Sequence, residues 1–170
     1  MKVIGKILTL LTVTCWVSCQ IEMGKGEEKQ PEEIRIVYNL NPELMLRLIN
    51  EQRTAGCKCG ETDMPAAPKM KWNSLLAKAA YNHSVDMYTN RTLNHTSSDG
   101  RSPGDRIKEV GYNSATWGEN IAMGYSNESS VIQGWMQSAG HCANIMNANL
   151  TEVGVAREGN YWTMVLARPK

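Results

Sequence analysis

The fold class this sequence predicts is α+β: a three-layer α-β-α sandwich with a central antiparallel sheet. Two patterns carry the prediction. Apolar residues recur at helical spacing in separate stretches that bring their own start or stop signals, the last of them ending near residue 138. Two runs of alternating apolar residues then close the chain around a Gly-Asn turn. Helices mostly precede strands, which is the order of α+β folds rather than of βαβ repeats. The chain has 170 residues, 42% hydrophobic and 21% charged, enough for one domain with its own core. Phenylalanine is absent, so Trp, Tyr and Met must fill the large core positions.

The N-terminal 1–19 read as an export signal. Lys2 and Lys6 supply positive charge and "ILTLLTVTCWVSC" supplies a short apolar stretch. "WVSC" ends on Cys19 like a bacterial lipoprotein cleavage site, with Trp16 where Leu is usual, so Cys19 is the expected lipid anchor. Residues 20–38 are rich in Glu, Lys and Gly and too poor in apolar residues to fold alone. They read as a flexible tether to a domain over 39–170.

Each element of that domain has a local reason. In "NPELMLRLINEQRTAG", Asn41 caps, Pro42 and Glu43 suit the first turn, Leu44, Leu48 and Ile49 form the apolar stripe beside Met45, and Gly56 stops the helix. "CKCGETDMPAAPKMKW" is excluded from helix by Pro65 and Pro68. "NSLLAKAAYNHSVDMYTN" is a second helix capped by Asn73, with Leu76, Ala80, His83 and Met87 on one face. In "GRSPGDRIKEVGY", Ser102 caps, Pro103 starts and Gly111 ends a third, shorter helix. "WGENIAMGY" is extended, and "NESSVIQGWMQS" is a fourth helix carrying Val131, Ile132 and Trp135. "TEVGVAREGNYWTMVLAR" is a hairpin turning at Glu158-Gly159-Asn160.

The ordered strings "LIN.QR", "HS.DM", "NHT.SDG.SPGDRI", "GENIA.GY", "GWM.S.GH..NIMN" and "EVGVA" resemble the CAP superfamily, also called SCP/TAPS, in its bacterial branch. The resemblance covers roughly Asn41 to Arg168 and implies an α-β-α sandwich with a surface cleft. Matched motif by motif, it places His95, Glu119 and His141 in that cleft. Many eukaryotic members have a second glutamate three residues after the helix tryptophan; Ser138 stands there instead.

The chemistry of these residues admits several readings. His95 and His141 lie 46 residues apart, and only the resemblance pairs them. Two imidazoles with Glu119 as third ligand form a Zn²⁺ donor set with an open position for water. Glu119 also has a structural reading, as an acceptor of backbone amides in its own turn. His83 reads as a hydrogen-bonded core histidine. His141 and Cys142 are adjacent, but neighbours in a helix point about 100° apart, so they do not form a catalytic dyad.

Cys57, Cys59 and Cys142 leave an odd number in the domain. A disulfide from the "CKCG" loop to Cys142 closes a loop of more than 80 residues, worth about 4 kcal/mol by chain entropy. The resemblance favours Cys59 over Cys57 as the partner, since related sequences keep a cysteine before glycine here. A three-cysteine zinc site is the rival reading. Sequons at Asn82, Asn90, Asn94, Asn127 and Asn149 are glycan acceptors only in a eukaryotic secretory pathway.

Function then falls into two classes. One is an exported or membrane-anchored binding module at the cell envelope, recognising an envelope component, a lipid or a small ligand through the His95, Glu119, Ser138 and His141 cleft. The other is a metal-dependent hydrolase of peptide, lipid or cell-wall substrates, with Zn²⁺ on His95 and His141 and Glu119 as base or as ligand. A formal charge of +1 gives no footprint for nucleic acid.

Overall fold

The structure is a computed structural model and describes residues 38–170. The expected signal, its Cys19 and the tether up to residue 37 lie outside the described residues. Tyr38, expected as the tether's last residue, already belongs to the domain: its ring meets Trp72 edge-on at 5.9 Å, and its carbonyl accepts a bond from the Arg157 amide.

Helix α1 spans Pro42–Ala55, and the Asn41 side chain accepts from the Leu44 amide as its cap. Its core stripe is Met45, Ile49 and Arg53, spaced four residues apart, while Leu44 and Leu48 are only half-buried. Met45 and Ile49 of the expected apolar set are thus in the core, Leu44 and Leu48 flank it, and the stripe ends in a buried cation. The proline-containing stretch that follows holds a small hairpin, β1 (Cys57–Cys59) with β2 (Thr62–Met64), and then the two-residue strand β3 (Lys71–Trp72). Helix α2 spans Ser74–Asn90 under its Asn73 cap, and α3 spans Pro103–Glu109 with a capping box between Ser102 and Asp105.

Strand β4 (Ser114–Met123) contains the "GEN" motif. Helix α4 (Glu128–Gln137) is followed at once by α5 (Ala139–Met146), a helix that periodicity did not reveal. Eight residues give too few repeats for a pattern, and Ser138 makes no side-chain cap bond to mark the start. The hairpin β5 (Glu152–Glu158) and β6 (Tyr161–Pro169) turns where expected.

The sheet order is β3-β5-β6-β4. Neighbours are antiparallel except the short β3–β5 pair, which is parallel. Alternation along β6 divides the core in two. Trp162, Met164 and Leu166 face α1, α4 and α5, together with Met45, Ile49, Trp135 and Ile145. Val165 and Ala167 face Leu76 and Ala80 of α2 and Ile107 of α3. Helices therefore cover both faces, and Trp and Met occupy many of the largest fully buried positions.

Gly154 sets how closely α2 approaches β5. A Cβ there would lie 2.0 Å from the Ala77 amide nitrogen and 2.4 Å from the Leu76 carbonyl carbon, which are backbone atoms of a packed helix. Gly154→Ala is expected to cost about 2–3 kcal/mol by overpacking. Gly140→Ala in α5, where a Cβ meets nothing within 4 Å, is expected to be neutral or slightly stabilising. Urea unfolding of the two variants checks both.

Candidate functional site

Strand β4 is one edge of the sheet, and the candidate residues gather around it from both faces. Glu119 lies opposite Val165, so its side chain points to the α2–α3 face. It is buried there, and both carboxylate oxygens are engaged. Oε1 accepts from His95 Nδ1 at 2.7 Å, and Oε2 accepts from Arg106 Nη2 at 2.6 Å.

His95 reaches Glu119 from the loop between α2 and α3. Arg106, buried in α3, binds that loop through the His95 carbonyl at 3.0 Å, the Arg101 carbonyl at 3.0 Å and Ser97 Oγ at 2.9 Å. His83 holds the same loop from α2: Nε2 donates to the Asn94 carbonyl at 2.8 Å, and Nδ1 accepts from Ser97 Oγ at 3.3 Å. His83 is thus the hydrogen-bonded core histidine expected, and it also anchors the loop that presents His95. The buried chain runs His83, Ser97, Arg106, Glu119, His95. Arg106 Nε is the one buried side-chain polar atom without a partner among the described residues.

His141 comes from the other face, in the first turn of α5. Asn120 donates to its carbonyl at 3.0 Å, and Asn144 donates to Asn120 Oδ1 at 2.9 Å and to the Glu119 carbonyl at 3.2 Å. The next residue, Cys142, is bonded to Cys59 across 83 residues of chain, with the Cα atoms 5.4 Å apart. Cys57 remains a free thiol. Ser138 sits at the joint between α4 and α5, and no side-chain hydrogen bond links it to His141 among the described residues.

The two histidines are tuned in opposite directions. The hydrogen bond to Glu119 raises the pKa of His95 above its ordinary value. Burial lowers that of His141, and the charge of His95 lowers it further. The shifts bias the His95 ring toward the imidazolium and the His141 ring toward the neutral imidazole. A raised folded-state pKa contributes stability that is complete below the unfolded value of about 6.5 and is lost as pH rises through the folded value. The stability difference between wild type and His95→Gln is therefore expected to be largest at mildly acidic pH and to shrink on going alkaline. Because the His95 side chain is 53% exposed, solvent screening holds the difference to at most about 1 kcal/mol. Urea unfolding from pH 5.5 to 9 checks the sign.

The donors do not fit a three-ligand Zn²⁺ site in this arrangement. Glu119 is buried and spends both oxygens on Arg106 and His95, so it orients His95 rather than offering a free third ligand. Among the described residues, the donor atoms of His95, His141 and Glu119 do not converge within 4.8 Å; only those of Cys57, Cys59 and Cys142 do. Arg106, Ser97, Asn120 and Asn144 build the site without having been singled out from the sequence. Arg106, Asn120 and Asn144 carried a signal, since they stand inside the strings "SPGDRI", "GEN" and "NIMN" that carried the resemblance, whereas Ser97 falls at the unmatched position between "NHT" and "SDG".

The model of the cysteine-rich secretory protein family, CAP, matches residues 46–165. The chain belongs to this family. Among curated relatives, YkwD of Bacillus subtilis is 40% identical over 90 residues, covering 52% of this chain and 35% of that protein. The Bacillus subtilis membrane protein YlbC is 34% identical over 95 residues, covering 56% of this chain and 28% of its own length. The chain thus spans about a third of these relatives. Among solved structures, an extracellular protein containing an SCP domain from Bacillus anthracis superposes with a TM-score of 0.67 at 28% identity, over 74% of this chain and 39% of that one. An outer surface protein from Borrelia burgdorferi shares the fold at 20% identity, with a TM-score of 0.64, over 75% of this chain and 92% of that one.

Proposed function

We propose that the CAP domain of this chain is an exported binding module whose cleft recognises a polar or anionic group of an envelope component, a lipid or a small ligand. The observation that carries the reading is the state of Glu119. Its two oxygens are committed to Arg106 and His95 and its side chain is buried, so it is placed to orient a histidine and not to take a proton from water. His95 keeps Nε2 without a protein partner among the described residues, and in the imidazolium form, which the bond to Glu119 favours, that nitrogen is a donor. His141, biased to the neutral form, can accept from the same ligand.

Two features support display outside the cytoplasm: the export-like N-terminus, and the extracellular and outer-surface character of the structural relatives. No helix among the described residues is long and apolar enough to cross a membrane. Cys19, at the end of the export-like stretch, is the residue we propose as a lipid anchor.

The competing hydrolase reading rests on the opposed pKa shifts, an arrangement that also suits an acid–base pair. One experiment separates the two. The protein is incubated with peptidoglycan fragments, phosphatidylglycerol vesicles and casein, and both binding and turnover are followed. Binding to at least one probe without turnover is expected, weakened at least tenfold by His95→Ala with global stability retained. Turnover that disappears in both His95→Ala and His141→Ala, with global stability retained, would establish the hydrolase instead.

A further inference from the structure

We infer that, when its disulfide is reduced, this chain holds a thiophilic d¹⁰ cation, Zn²⁺ or Cu⁺, on Cys57, Cys59 and Cys142. These residues are the only His, Cys, Asp and Glu group among the described residues with at least three donor atoms all within 4.8 Å of one another. Cys57 Sγ lies 3.7 Å from Cys142 Sγ and 3.9 Å from Cys59 Sγ. Zinc–sulfur bonds of about 2.3 Å at tetrahedral angles set bound sulfurs about 3.8 Å apart. Two edges of the sulfur triangle therefore already have the length of a metal site. The third edge is the Cys59–Cys142 bond, which opens on reduction.

The position of Cys57 favours this over thiol–disulfide exchange. An attacking thiolate approaches along the axis of the bond it breaks. Cys57 is nearly equidistant from the two bonded sulfurs, so it lies beside that bond. The scaffold also suits a metal. Cys57 and Cys59 are two residues apart on β1 and project from the same side of the strand, whose register is pinned by pairing with β2. Cys142 lies in the first turn of α5, where the helix dipole stabilises a thiolate and Ser138 makes no competing side-chain cap. Cys59 and Cys142 are buried and Cys57 is half-buried, so the site is closed on two sides with an entry at Cys57. Three soft thiolates select Zn²⁺ or Cu⁺ over hard cations.

The chemistry balances with a dithiol or phosphine reductant. It supplies two electrons and, with two protons, converts the Cys59–Cys142 disulfide to two thiols while being oxidised itself. Metal binding then displaces the protons of three thiols. Disulfide and metal are thus alternative cross-links between β1 and α5, and each holds down the helix that carries His141.

The test compares the chain with and without excess phosphine reductant, titrated with Zn²⁺ and, separately, with Cu⁺ held by a chromophoric chelator. One equivalent of at least one of these cations is expected to bind the reduced chain at least 100-fold more tightly than the oxidised chain, and to raise the melting temperature of the reduced chain. Cys57→Ser keeps the disulfide and so folds before reduction; on reduction it is expected to lose at least 100-fold in affinity. His95→Ala and His141→Ala are expected to leave this binding unchanged, which separates it from any metal in the cleft. Equal binding by reduced wild type and Cys57→Ser, equal binding by the oxidised chain, or a reduced chain that gains no thermal stability from either cation would overturn the inference.

Discussion

Arg106→Met is expected to destabilise the domain by about 3–5 kcal/mol, the range for removing one partner of a buried ion pair. The Arg106 and Glu119 side chains are each 2% exposed, and their 2.6 Å contact is the main compensation for taking both charges out of water. Removing the guanidinium leaves Glu119 buried with one donor, His95 Nδ1. It also frees Ser97 Oγ and the carbonyls of His95 and Arg101. The loop that presents His95 then loses its buried tie to α3, keeping only the exposed Arg101–Glu109 pair, so the proposed ligand's affinity should fall with stability. Urea unfolding gives the magnitude. The double variant Arg106→Met/Glu119→Gln sharpens the test: if the cost lies in an uncompensated carboxylate, the double variant is more stable than Arg106→Met alone. If the two losses simply add, Arg106 acts through the loop carbonyls and not through Glu119.

This pair also shows where sequence reasoning ran out. Caps, turns and periodicity are local, and they located α1 to α4, the strand of the "GEN" motif and the final hairpin, because Asn41, Asn73, Ser102 and Gly159 act within a few residues of themselves. The β1–β2 hairpin has strands of three residues each, too short for alternation to register. The parallel pairing of β3 with β5 joins Trp72 to Val153, a contact that no local signal encodes. The site is less local still. Glu119 was named by resemblance, but its partner Arg106 sits on another element and looks in sequence like any amphipathic helix arginine. With Glu119 taken as a free ligand, the cleft read as a metal site. With Arg106 beside it, the same carboxylate is a positioning group. The identity of a buried charge's partner, invisible along the chain, changes the chemistry of the residue that was visible.

Arg53→Met is expected to cost at least about 3 kcal/mol, because it strands several buried carbonyls at once. Arg53 is fully buried and has no carboxylate partner among the described residues. Burial pulls its pKa below the ordinary arginine value, yet a guanidinium remains protonated in proteins. Its charge is met by backbone oxygens alone: Nε donates to Pro68 at 2.7 Å, Nη1 to Ile145 at 2.5 Å and Asn147 at 3.0 Å, and Nη2 to Leu150 at 3.1 Å. Ile145 belongs to the last turn of α5, where carbonyls lack intrahelical partners and the helix dipole favours a cation. Arg53 is therefore the C-terminal cap of α5, delivered from α1 across the core. A lysine side chain would present one ammonium with three donors in place of a planar fork, so Arg53→Lys should recover less than half of the loss. Hydrogen exchange separates local from global effects. Faster exchange at the α5 amides in Arg53→Lys, with the β5–β6 amides still protected, would mean that α5 opens alone and carries His141 away from β4 while the sheet stays folded. Uniform acceleration would mean instead that α5 is part of the global folding unit, so His141 cannot leave β4 without unfolding the domain.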